Sequence, residues 1–386
     1  MKIAQVLLDY NKIHGHGKNA SRIADLLSND HEMHIFANTF SDDVKSNKVI
    51  FHYVPTVPHI NLIRIPIFFL IASLKIKLSD FDIVHAHEVA LLRQDVITAH
   101  FCHEAYRKKM KEDVYRHETF YKKIYYRLFN FIISLMEKII FSDKYSKHVI
   151  AVSGKTKKEI SNFYSKALDS ISVIYNGLDS EKFNSVNRVH YKQLIRNKLN
   201  IAKDDFVLFF VGDFERKGLQ YLLHALSVLR HENYTLLVAG EMKNKYFLEL
   251  SKQFGIINKI KWLGKIKNIE VFYKASDLFI FPTLYDPWAL VVQEAIACDV
   301  PVIVSDSKYC GISEILEDKK SALLLKDPTD YKEIADKIDF ILDNCELRKH
   351  IAKNAKRIIL NYTSKDIVQK TLSVYNEVLK IKKNKK

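Results

Sequence analysis

The decapeptide YDPWALVVQE, residues 285 to 294, holds two carboxylates, Asp286 and Glu294, with seven residues between them. It lies between the apolar runs DLFIFPT and AIACDVPVIVS. Pro287 suits the first turn of a helix, and WALVVQEAIA continues as one. Asp286 then sits near the N-cap, and the backbone N–H groups of Trp288, Ala289, Leu290 and Val291 mark the helix start. Such an end attracts phosphate or carboxylate through its donors and its dipole. Glu294 follows eight positions later, only ~80° round a helix at ~100° per residue, so both acids can border one cleft. A capping aspartate with a surface glutamate is the plain alternative.

Three other stretches hold groups able to do chemistry. In FVGDFERKGLQYLLHAL, Lys217 stands at a helix start, where the dipole disfavours a cation unless an anion is bound there. A solvated Arg216–Lys217 pair is the alternative. In HGHGKNASRIADLL, Gly15 and Gly17 leave room for a sugar or phosphate beside the Gly15–Lys18 backbone, with His16 and Lys18 at hand. A turn without a ligand fits as well, and the dinucleotide pattern G-x-G-x-x-G fails at Ala20. DIVHAHE ends in His85 and His87, two apart and therefore on one face of a strand. His100 and His103 follow the next strand. Zinc held by these histidines and Glu88 is conceivable, but sugar contacts fit equally. Gly154-Lys155-Thr156 is no P-loop, because Val149 occupies the position that motif reserves for Gly.

These groups need a scaffold, and the chain alternates short β-branched runs with longer amphipathic ones. KIAQVLL, EMHIFA, DIVHAH, DVITAH, HVIAVS and ISVIYN form one strand series. FVLFFVG, YTLLVAG, IKWLG, LFIFPT, PVIVS and ALLL form another. Helical patterns between them predict parallel, doubly wound sheets, whose ligands bind beyond the carboxyl ends of the strands. The polar, basic stretch at residues 184–205 has no strand signal and holds a linker near residues 185–200. The expected domains are residues 1–185 and 200–364, with a C-terminal helix over about 365–386 packing back on the first. The terminal KIKKNKK reads as a solvated charged end.

The 386 residues exceed one typical domain, and 48% hydrophobic with 27% charged residues suits a folded globular chain. A formal charge of +15 favours anionic partners. Cys102, Cys298, Cys310 and Cys345 have no metal or redox spacing and read as free thiols in a reducing compartment. The N-terminus reads as a first strand rather than a signal peptide, and no apolar run reaches the ~20 residues of a membrane span. Between Arg107 and Arg127, basic and aromatic residues interleave with a basic excess of five. At ~1 kcal/mol per basic residue this predicts weak attachment to an anionic leaflet. Single-strand nucleic-acid binders share that composition, and a solvated face is the plain alternative.

LYDPWALVVQEAIACDVPVIVSD resembles the nucleotide-sugar signature of retaining glycosyltransferases with the GT-B fold, glycosyltransferase family 4 (group 1). That signature has Glu, seven residues, Glu, then a small residue and Pro-Val. Here Asp286 replaces the first Glu, and Ala289 stands where Gly is common. FVGDFERKGLQYLLHAL resembles the family's diphosphate-gripping loop, with Asp213 in place of an Arg. VIYNGLDSEKF, KWLGKIKNIEVFYKASDLFIFPT and YCGISEIL match further segments in the family's order, strongest over residues 207–316.

The resemblance implies two Rossmann-like domains facing a cleft and a nucleotide-sugar donor, most often UDP-linked. It implies a retaining hexosyl transfer without a metal or other cofactor. Glu294 then holds the ribose, and Lys217 and Arg216 the diphosphate. Gly264, Lys265 and Ile266 meet the base, while Trp288, Ala289, Leu290 and Val291 start the helix beside it. Asp286 and His87 face the sugar, and His85 packs behind. The acceptor, a glycan or lipid-linked molecule of surface polysaccharide or lipopolysaccharide synthesis, lies near Gly15, His16, Gly17 and Lys18. The expected location is cytoplasmic, with peripheral attachment to the inner membrane face left open, and no nucleic-acid partner is expected. Alternatives are a nucleotide-sugar epimerase of the same architecture, a basic nucleic-acid binder and an inactive scaffold.

Overall fold

The computed structural model describes residues 1–11, 15–41, 48–58, 60–110, 119–178, 183, 188–242 and 245–384, without the side chains of 15 and 16. It divides into two compact units, the first comprising Met1–Lys111, Glu118–Gly177 and Thr363–Lys386 and the second Leu178–Tyr362.

The first unit is built on seven parallel strands in the spatial order Val49–Tyr53, Glu32–Ala37, Lys2–Val6, Ile83–His87, Gln94–Ala99, Ser146–Ala151, Ile171–Val173. Helices on its faces include Gly15–Leu27, which follows the first strand, and Asn61–Lys75, which precedes Ile83–His87. Strands buried on both faces read as unbroken apolar runs, and Ile83–His87 is buried at every position. The edge strand Val49–Tyr53 was not expected. Its residues VIFHY alternate poorly and are buried only at Val49, so the sequence offers little period-2 signal there.

The C-terminal helix Ser364–Lys383 belongs to this unit. It starts with a capping box in which Thr363 Oγ1 accepts from Asp366 N and the Asp366 carboxylate accepts from Thr363 N. Its buried Tyr375 reaches His85 at 2.7 Å. Near its end Lys382 donates to Asp95 at 2.9 Å and to the Asp82 carbonyl at 2.7 Å. Lys382 therefore fastens the helix, although its charged surroundings read as a solvated end.

The second unit repeats the winding with six parallel strands: Ile260–Gly264, Tyr234–Ala239, Phe206–Val211, Leu278–Phe281, Val302–Ser305, Leu323–Leu325. The chain enters this unit at Leu178, before the boundary expected at residue 185. Within the stretch read as a linker, Arg188–Lys198 is a helix of the second unit. Arg188 donates to the carbonyls of Asp299 at 2.7 Å and Ser276 at 3.1 Å, while Lys192 and Arg196 pair with Asp277. The basic residues that made the segment look solvated are the ones that fasten it.

In both sheets the winding reverses direction between the first and fourth strands in chain order, the point where an open α/β sheet leaves a crevice beyond its carboxyl edge. In the second unit those strands are Phe206–Val211 and Leu278–Phe281. The loops leaving them are residues 212–218 and 282–289.

Candidate functional site

The 212–218 loop is set by its ends. Gly212 and Gly218 have φ of +130° and +75°, and a Cβ on Gly218 would stand 2.2 Å from the Pro282 carbonyl oxygen. Only glycine permits that approach between the two loops. Asp213, where the family carries Arg, organises the turn: its carboxylate accepts from Arg216 N at 3.1 Å and its carbonyl from Lys217 N at 3.0 Å. The Arg216 carbonyl then accepts from Leu284 N at 3.0 Å, which ties the two loops together.

Those loops bring together residues 69 and 70 positions apart. Lys217 Nζ contacts Asp286 Oδ2, and both side chains are buried. Arg216 Nη1 donates to the Tyr285 carbonyl at 2.8 Å and lies 3.5 Å from the same Asp286 oxygen. The Lys217 ammonium also sits 4.5 Å from the centre of the Phe281 ring. Burial, then the Arg216 charge, push the Lys217 pKa well below the ordinary lysine value; the touching carboxylate opposes that shift. The anion anticipated beside Lys217 is thus present in the chain itself.

The helix after the quoted decapeptide begins at Leu290, later than WALVVQEAIA suggested. Asp286 lies outside it, so the ~80° helical relation to Glu294 does not apply. Its Oδ1 accepts from Trp288 N at 3.0 Å and Ala289 N at 2.6 Å, which removes two of the donors expected to be free. The N–H groups of Leu290 and Val291 take no backbone partner among the described residues, as the first turn of a helix requires. Ala289 has φ +63°, a left-handed conformation that explains why glycine is common there in the resembling family. Trp288 is buried, its indole N–H donating to Gln293 Oε1 at 3.1 Å; its side chain serves the core.

Glu294 is buried within the helix, and Tyr273 Oη donates to its Oε2 at 3.4 Å. Burial and the Glu294 charge raise the Tyr273 phenol well above its usual pKa, so it remains a donor. Sequence reasoning missed Tyr273, whose only signal was a polar tip in a helix of the same unit. At the sheet edge Gly264 takes φ +64° and ends its strand, Lys265 pairs with Glu241 at 2.8 Å on the surface, and Ile266 is half-buried beside them.

In the first unit His85 and His87 share a strand face, as their spacing predicts, with ring centres 4.5 Å apart. His85 is locked between Tyr375 and Thr98, each at 2.7 Å. Burial, with a lesser effect of His100, pushes its pKa down to about 3. His87 Nδ1 lies 3.2 Å from His100 Nε2. Among the described residues no group of three or more His, Cys, Asp or Glu side chains is placed to hold a metal. Gly15 to Lys18 form the first turn of the Gly15–Leu27 helix rather than a loop before it. A Cβ on Gly17 would stand 2.9 Å from the Asp9 carbonyl. His14 lies outside the described residues. The Asn176-Gly177 turn is clamped by that same helix, through Asn19 to Asn176 at 2.8 Å and Arg22 to the Gly177 carbonyl at 3.0 Å.

His103 belongs to a buried cluster that the sequence did not reveal. Its Nδ1 and backbone N–H bond the Glu137 carboxylate at 2.7 and 2.8 Å, and Tyr164 Oη donates to the same carboxylate. Burial opposes charge on His103, but Glu137 outweighs it and the pKa rises.

Residues 192–358 match the family of glycosyl transferases group 1, and residues 15–182 match Glycosyltransferase Family 4. An uncharacterized glycosyltransferase of Methanocaldococcus jannaschii, MJ1607, is 30% identical over 236 residues, 60% of each chain; this chain thus spans well under two thirds of that relative. Two solved structures share the arrangement of the chain. One is WaaG, a glycosyltransferase involved in lipopolysaccharide biosynthesis, with TM-score 0.79, 19% identity and coverage of 97% and 99%. The other is Anabaena Alr3699/HepE in complex with UDP and glucose, with TM-score 0.76, 17% identity and the same coverage. With a family matched on each half and the paired, doubly wound sheets of these neighbours, the protein belongs to the group 1 glycosyltransferases of the GT-B fold.

Proposed function

We propose that the protein transfers a sugar, with retention of configuration, from a nucleotide diphosphate donor to a hydroxyl of a glycan or lipid-linked acceptor in surface polysaccharide or lipopolysaccharide synthesis. The observation that carries this reading is the meeting of Arg216 and Lys217 on Asp286, which also accepts from the Trp288 and Ala289 N–H groups just before the Leu290 helix, at the switch point of the second sheet. Two cations and a helix start at one crevice suit a diphosphate. WaaG's role in lipopolysaccharide biosynthesis supports the pathway, and HepE's complex with UDP and glucose supports UDP as the nucleotide.

In this reading Glu294, oriented by Tyr273, accepts from the ribose hydroxyls, and residues Gly264–Ile266 meet the base. Lys217 and Arg216 neutralise the departing diphosphate, the largest electrostatic demand of the reaction, so charge balance is assigned to side chains rather than to a metal. Asp286 and His87 are assigned to the sugar, and the Gly15–Lys18 turn to the acceptor. The four cysteines, none joined to another, fit work in the reducing cytoplasm.

Glu294→Gln tests the reading. Two hydrogen bonds to a charged group contribute at least ~1.5 kcal/mol each, so calorimetric affinity for a UDP-sugar should fall ~10²-fold or more. Unchanged affinity would refute the ribose assignment. Conversion of UDP-sugar without any acceptor would favour the epimerase instead.

A further inference from the structure

Five charged side chains stand on the two loops at the switch point of the second sheet. Asp213, Glu215, Arg216 and Lys217 lie on residues 212–218, and Asp286 lies on residues 282–289. Acids outnumber cations there by three to two, so the two loops carry a net charge of −1 in a chain of +15. The basic excess lies elsewhere, in part in the Arg107–Arg127 run, of which residues 111–118 lie outside the described residues. Arginine at position 213, as in the resembling family, would bring the loops to +1. The difference rests on Asp213.

The backbone fixes where this acid stands. On one side the Gly212 carbonyl presses on Gly240, where a Cβ would lie 2.3 Å from its oxygen. On the other, Phe214 is buried, its ring centre 5.4 Å from that of Phe247 and 5.9 Å from that of Trp262. Between these anchors the Asp213 carboxylate accepts from Arg216 N at 3.1 Å, and its carbonyl accepts from Lys217 N at 3.0 Å. Both cations therefore hang from the residue whose charge offsets one of them. The Lys217 chain folds back along the loop, since a Cβ on Gly212 would lie 3.2 Å from its Cγ. Against burial and the Arg216 charge, Asp213 also favours the protonated form of Lys217.

That charge tells when ligands of different charge compete. In a nucleoside diphosphate sugar each phosphate carries one negative charge. The free diphosphate gains a further charge near neutrality, because its terminal phosphate ionises again at a pKa of about 6. A positive crevice would favour the free diphosphate, which is the departing product, over the donor. We infer that Asp213 is a specificity-determining residue for the donor: it cancels that preference, so the sugar-bearing diphosphate is held at least as firmly as the free one. The inference rests on the donor-site reading above and gives a reason for an acid among the phosphate contacts.

The test is calorimetric binding of UDP and of UDP-glucose to the full chain and to its Asp213→Asn and Asp213→Ala variants, at about 0.01, about 0.15 and about 1 M salt. Asparagine retains an acceptor for Arg216 N and removes the charge, whereas alanine removes both. At ~10 Å, an effective dielectric constant of ~20 and one Debye length of screening, one charge changes the affinity for one ligand charge about threefold. The parent should bind UDP-glucose at least as tightly as UDP. Asp213→Asn should move the ratio about threefold toward UDP at about 0.15 M salt, further at the lowest salt and hardly at the highest. Asp213→Ala should show the same change of ratio with both affinities below those of Asp213→Asn. A purely structural role would lower both affinities and leave their ratio alone. A parent that binds UDP about tenfold or more above UDP-glucose, or a ratio that Asp213→Asn leaves unchanged, overturns the inference while the donor-site reading stands. Absence of binding by both ligands removes that reading and this inference together.

Discussion

Asp286→Asn separates the two roles that the structure gives this side chain. Asparagine retains an acceptor for the Trp288 and Ala289 N–H groups but removes the charge against Lys217. Both partners are buried. Breaking such a pair from one side costs about 3–5 kcal/mol, since a bare charge stays behind. The lysine can limit that loss by releasing its proton, at about 1.4 kcal/mol per pH unit below its ordinary pKa of ~10.4. The ceiling is therefore about 4.6 kcal/mol at about pH 7 and about 1.9 kcal/mol at about pH 9. Within that ceiling, a loss of ~3 kcal/mol is expected at neutral pH. For a unit of this size that lowers Tm by about 6–12 °C.

The sign of the pH dependence follows from proton counting. Loss of the Asp286 charge lowers the proton occupancy of folded Lys217 below that in the parent, while the unfolded chains are alike, so the variant gains stability on the parent as pH rises. Calorimetry near pH 7 and pH 9 should show the Tm deficit shrinking by about a third. UDP should also raise Tm further in the variant than in the parent, because its diphosphate no longer competes with a resident carboxylate for Lys217. An unaltered Tm near neutrality, or a deficit constant to the higher pH, refutes the ion-pair argument. A deficit that behaves as expected but with no extra response to UDP retains the pair and removes the diphosphate from it.

Ala289→Gly should stabilise the second unit by about 0.5–1 kcal/mol in urea unfolding, because release from a left-handed backbone worth about 1–2 kcal/mol exceeds the entropy glycine adds to the unfolded chain; a loss of stability would contradict the φ of +63°. His103→Gln should destabilise the first unit most in acid. The histidine's pKa is raised in the fold, so its stabilising charge is fully present below the unfolded value of ~6.5 and is lost as pH rises through the folded value. The gap between parent and variant should narrow from about pH 6 upward, and a gap independent of pH would show that His103 is held neutral.

The sequence disclosed what repeats locally and concealed what depends on distant partners. Strand–helix alternation is written in side-chain periodicity, so twelve of the strands could be read directly. The edge strand Val49–Tyr53 escaped because only one of its five residues is buried, and an edge need not alternate cleanly. Arg188–Lys198 escaped for the opposite reason: a helix fastened by charge to Asp277 and to two carbonyls has the composition of a linker. At the site, the helix dipole argued for an anion beside Lys217, and nothing in the spacing indicated that the carboxylate of Asp286 occupies that place. From the sequence that acid reads as a cap on one element; in the structure it holds the turn before the Leu290 helix with one oxygen and Lys217 of a second loop with the other. The switch-point crevice therefore carries its own counter-ion, and in the proposed reading a diphosphate displaces a carboxylate rather than entering an empty positive site. That competition makes donor affinity sensitive to side-chain length at position 286. On that reading, Asp in place of the resembling family's usual Glu is a difference in how firmly Lys217 is held before a donor arrives, and not merely one methylene in the reach toward a sugar.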